Sequence, residues 1–111
     1  MDDLSALSQE HLAKARVDPH GRSAHLFLND GPLRQTIIAL TSGSGLDEHN
    51  APPAASVQVL QGQVRLAAES GDLDIGVGQV YAVPRERHSV TALTDSVIIL
   101  TTVTNTYPRE E

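Results

Sequence analysis

"GSGLDEHNAPPAASVQVLQG", residues 43–62, is the stretch on which the reading of this chain turns. It looks like a strand and turn suited to a metal from which most of the ligands have gone. His49 stands at its centre, and Ala51 and Ala55 occupy places where further donors would be expected. Pro52-Pro53 interrupts strand pairing, so the chain can bend there from one sheet toward another. Gly62 lies where "SVQVL" meets "QVRLAAE", at a tight turn that often needs a positive φ.

Outward from that stretch, strand-like runs alternate with turn signals. "AHLFL" and "LRQTIIALT" flank "NDGP" upstream. "LDIGV", "QVYAVP", "HSVTAL" and "SVIILTTV" follow downstream, separated by Gly78, a loop and Thr94-Asp95. About eight short strands are expected, an antiparallel sandwich or barrel. The first sixteen residues are different. Leu4, Leu7 and Leu12 fall near one helical face, Asp2 or Asp3 can cap the start, and Lys14 and Arg16 suit the end of the dipole. The organisation expected is a helix and linker over 1–20, a barrel over 21–105 and a frayed tail over 106–111.

Ile37 and Ile38 are neighbours, as are Ile98, Ile99 and Leu100, so these strands carry bulk on both faces. A small barrel buries only one face of each strand. The other must be covered by the N-terminal helix or by a second subunit, and a homodimer is expected on that ground.

Composition removes several classes of function. The chain of 111 residues has no cysteine, which excludes disulfides, thiolate metal sites and cysteine nucleophiles and fits a cytoplasmic protein. A net charge of −6 with only two Tyr and one Phe gives little to attract phosphate or stack on bases, so nucleic acid is not an expected partner. Neither a secretory leader nor a membrane-spanning run is present in these residues, and no membrane partner is expected.

The spacing in the opening stretch resembles the first cupin motif. Gly43, five residues, His49, one residue, Ala51, three residues, Ala55, six residues and Gly62 fall where that motif has Gly, His, His, Glu and Gly. The second motif is met by Gly78, five residues, Pro84 and then His88 in "VPRERHSV". There the Pro-to-His interval is one residue short, the intervening glycine is missing, and Ala92 replaces the usual asparagine. The resemblance runs from about residue 24 to residue 103. It implies an all-β double-stranded β-helix, the jelly-roll barrel of a small single-domain cupin, with a short N-terminal α-helix outside it.

The same resemblance implies that His49 and His88 face the barrel interior at metal-ligand positions, while Ala51 and Ala55 have no donor atom to offer. Two neutral imidazoles hold zinc, nickel or iron weakly, because catalytic sites usually add a third ligand. Glu48, Asp47, Glu86 and His25 are the residues that could rescue the set. Glu48, adjacent to His49, should face away. Two readings of the histidine pair stand side by side. They are partly buried polar groups satisfied by one another, water or backbone, or they line a small-molecule site together with Ala51, Ala55 and Val57. A small-molecule ligand in the barrel, a metal-dependent dioxygenase or isomerase with a non-standard third ligand, and a regulatory module are the functions compatible with this. No catalytic residue is assigned.

Other polar residues have plainer expectations. His11 and His20 read as solvated, His25 as packing within a strand, and Asp72 and Asp74 as turn residues. "GSG" and "GVG" open no helix and are not phosphate loops. Ser89 should point away from His88, and Arg85 and Arg87 read as loop charges that could draw a carboxylate toward the mouth.

Overall fold

The computed structural model describes residues 1–49 and 54–104, with residues 48 and 49 described by backbone alone. One helix, α1 (Leu4–Val17), precedes nine strands. These are β1 (Arg22–Asp30), β2 (Leu33–Leu40), β3 (Gly45–His49), β4 (Ala54–Gln61), β5 (Gln63–Ala68), β6 (Gly71–Gly76), β7 (Val80–Ala82), β8 (His88–Ala92) and β9 (Ser96–Val103). The ninth strand relative to expectation is β3, whose "GLDEH" has no apolar alternation to announce it. Ala51, Pro52-Pro53 and the tail expected over 106–111 lie outside the described residues.

The strands form two antiparallel sheets, ordered β1-β2-β9-β4-β7 and β3-β8-β5-β6. The nested pairing of β2 with β9, β3 with β8, and β5 with β6 is that of a jelly roll. Between the sheets lies a core of Ile38, Leu40, Val57, Val59, Val64, Leu66, Ile75, Val90 and Ile98 with a few smaller neighbours. Period-two alternation explains its membership, since Ile38 and Leu40 share the inward face of β2 while Ile37 and Ala39 take the other.

That other face answers the question posed by the two-sided strands. Ile37, Ala39, Val97 and Ile99 are buried under Leu12 and Ala15 of α1, with Leu7, Phe27 and Leu60 at the margin. The helix is held at its start by Asp3, whose carboxylate accepts the N–H groups of Ser5 and Ala6 at 3.0 and 3.2 Å. It ends before Asp18-Pro19. Burying each large aliphatic under it contributes on the order of 2 kcal/mol. At β2 and β9, therefore, the cover comes from within the chain. The helix presents Ser8, His11, Leu12 and Ala15 inward rather than a Leu4 face, and Leu4 remains 37% exposed.

His11 corrects an expectation. It is 6% exposed rather than solvated, and its Nδ1 lies 2.7 Å from the Ser23 hydroxyl. Its ring stacks on His25, with centroids 5.6 Å apart and planes 8° from parallel. Because β1 meets the helix here, His25 lies on the outer face of the barrel and cannot supply an interior ligand. His20, by contrast, is exposed as expected. Among the described residues no helix is long and apolar enough to cross a membrane.

Candidate functional site

The two ends of the barrel can be told apart by which strand ends meet there. β3 finishes at His49 and β4 begins at Ala54. Five chain steps separate those residues, so they are no more than about 19 Å apart. β7 leads through Pro84–Arg87 into β8 at the same end, and the Val83 N–H donates to the Ala55 carbonyl at 2.9 Å. This end is the mouth.

In the smaller sheet, the register sets His49 opposite His88, and His88 opposite Ala68 of β5. The side chain of His88 is 4% exposed, on the same strand face as Val90 and Ala92 of the core. Its Nδ1 lies 3.0 Å from the Glu86 carbonyl oxygen. A carbonyl only accepts, so Nδ1 donates the proton of this contact. Glu86 itself is turned elsewhere. Its carboxylate accepts the Ser70 N–H at 2.7 Å, and the bonds from Ser70 hold its carboxyl below the ordinary carboxylate range. The rescuing role considered for Glu86 therefore fails on geometry: it braces the β5–β6 turn.

In the larger sheet, one ladder row crosses the mouth as Arg34, Thr102 and Ala55. The next row inward is Thr36, Leu100, Val57 and Tyr81, and the one after it is Ile38, Ile98 and Val59. No register shift separates these rows on β2, so Arg34 shares the inward parity of Ile38 and Leu40. Val57 is 2% exposed, and Ala55 packs partly buried against the core. The Nε of Arg34 is buried and has no hydrogen-bond partner. A shallow depression of about 250 Å³ lined by Ala54, Ala55, Ser56, Thr101 and Val103 lies over the same strand ends, with most of its lining on the strand face opposite to Arg34.

Neither a protein-family model nor a curated protein matches this sequence. Solved structures do match. A cupin superfamily protein from Desulfitobacterium hafniense superposes with a TM-score of 0.71 at 13% identity, over 76% of this chain and 78% of that one. A cupin-2 domain protein from Shewanella frigidimarina gives 0.70 at 11% identity, over 93% and 94%. The fold is that of a cupin. A salicylate 1,2-dioxygenase from Pseudaminobacter salicylatoxidans gives 0.75 at 16% identity, over 88% of this chain but 33% of the enzyme.

Within this fold the positions singled out by spacing are distributed as follows. His88, Ala55 and Val57 converge on the interior, and the backbone of His49 joins them by register. Ala51 and the His49 side chain lie outside the described residues. Among the described residues no three His, Asp or Glu side chains are grouped as a metal would require. The chemistry of the donor set points the same way, because Ala51 and Ala55 cannot ligate. The four-ligand metal site of the motif does not fit this chain.

The remaining polar residues are structural. Asp74 forms a two-point pair with Arg65 directly across β5–β6, at 2.7 and 3.1 Å, and is not a bare turn residue. Arg85 and Arg87 are exposed on the loop before β8. Arg34 is an inward-facing residue at this end that sequence reasoning passed over. Its signal was the alternation of Arg34 and Thr36 with Ile38 and Leu40, masked because Ile37 and Ala39 make the opposite face equally apolar.

Proposed function

We propose that this cupin-fold chain binds a small organic molecule at the barrel mouth, with His88, Ala55 and Val57 lining the site and His49 and Ala51 completing it. The observation that carries the reading is the exchange of ligand positions for alanine beside a buried, oriented histidine. Alanine leaves room and apolar surface where a metal ligand would stand, and the Glu86 carbonyl holds the His88 ring in place beside it. Such a combination of apolar wall and few placed polar groups suits a small ligand. Purified protein is expected to carry no tight stoichiometric transition metal, and native mass spectrometry should find a retained organic mass or a melting shift with added ligand. One ion per chain, kept through chelator dialysis and lost in His49→Ala, would sink this reading.

One observation favours a metal-dependent alternative. A ring whose Nδ1 donates to a backbone carbonyl is the arrangement by which proteins orient a ligating histidine. That alternative needs a third ligand in addition to His49 and His88, and the same metal analysis decides it.

A further inference from the structure

We infer that the molecule received at the barrel mouth is a small monocarboxylic acid with an apolar body, anchored by the Arg34 guanidinium. This deepens the reading above and rests on it. The argument begins with an unsatisfied group. Buried polar atoms in folded proteins are almost always hydrogen-bonded, and each exception asks for an explanation. The Nε–H of Arg34 is such an exception, sealed from solvent without a partner. The residue as a whole is only half-buried, and its place in the row puts it on the inward face of β2 near the mouth. Arginine is permanently charged, and a half-buried guanidinium whose Nε–H is unmatched lacks the partner that would offset its desolvation.

The surroundings define that partner. Arg34 shares its row with Thr102 and Ala55, and Thr36 follows on the same strand face. The row thus offers one planar cation, hydroxyl groups and a methyl. A guanidinium fork matches a planar carboxylate in two-point fashion. Beyond the row lie Val57, Leu100 and Val90, which would enclose carbon rather than hydroxyl groups. Arg65 and Arg16 show the contrast. Each already faces a carboxylate of its own chain, Asp74 and Asp95 respectively, so neither is available to a ligand.

The test uses the full chain and three probes, acetate, hexanoate and benzoate, against their neutral primary amides, with heteronuclear NMR on the Arg34 Nε–H and calorimetry. Hexanoate or benzoate should bind, shift the Arg34 Nε–H resonance and outbind its amide by roughly 10- to 100-fold, as loss of a charge-assisted bond implies. Arg34→Gln should remove that preference, so that each acid binds no better than its amide. The resonance shift in the unaltered protein keeps the proposal testable if the variant does not fold. Equal binding of acid and amide, or an Nε–H resonance indifferent to the acids, overturns the carboxylate assignment and leaves the small-molecule reading standing. Failure of every acid at millimolar concentration also overturns it. The retained mass in native spectrometry then judges the broader reading by itself.

Discussion

The two ends of the barrel are built on opposite principles. At the closed end, Gly62 turns the chain with φ +81°, and Ser96, fully buried, donates to the Thr94 carbonyl at 2.7 Å and accepts the Gln63 N–H at 3.1 Å. Asp95 ties the same corner together. It accepts the Ser42 N–H at 2.9 Å and pairs with Arg16 of the helix at 3.2 Å, and these bonds keep its carboxyl below the ordinary range. At the mouth, alanines replace donors and a buried arginine nitrogen goes unmatched. One end spends its polar groups on closure. The other leaves polar capacity unspent, which is what a binding site requires and a stable core does not.

Substitutions should expose that difference. The largest loss is expected from Gly62→Ala. A Cβ there would run into the Asp95 carbonyl and Ser96, on a backbone that L-residues resist, so a loss of about 3 kcal/mol or more should appear in urea denaturation. At the mouth, the double substitution Ala51→His with Ala55→Glu should supply the two missing donors and raise zinc affinity on the order of a hundredfold. Calorimetry against a competing chelator measures it, and an unchanged affinity would mean that the motif spacing does not bring these positions together.

Smaller effects sharpen the contrast. Ser96→Ala should cost about 1–2 kcal/mol, because it removes a buried hydroxyl that donates to the Thr94 carbonyl and accepts from the Gln63 N–H. Arg34→Met should do the reverse and raise the stability of ligand-free protein by ~1 kcal/mol, because it removes a buried donor that has no partner. A drop in melting temperature would show that Arg34 braces the mouth instead.

The smallest expected effect concerns the helix. Burial holds His11 below its ordinary value of 6.5, so the unfolded chain takes up the proton more readily than the folded one. The stability contributed by its docking is complete above about pH 6.5 and is lost as pH falls through the folded value. Thermal melts at pH 7.5 and 5.5 should therefore separate more for the wild type than for His11→Leu. Equal separation would remove His11 from the account.

The sequence by itself determined the barrel. Motif glycines at 43, 62 and 78 all adopt positive φ, between 81° and 85°, and that demand is local enough to be written in residue type and spacing. The motif positions likewise placed Val57 inside, and the absence of donors at 51 and 55 is a fact of composition. Tertiary structure alone decided which face of β2 looks inward, because Ile37 and Ile38 are equally apolar and only the docking of α1 onto Ile37 breaks the tie. From that one choice follow the outward place of His25, the burial of His11 and the inward place of Arg34. Hydrophobic pattern is a property of a strand, whereas the assignment of its two faces depends on what packs on each.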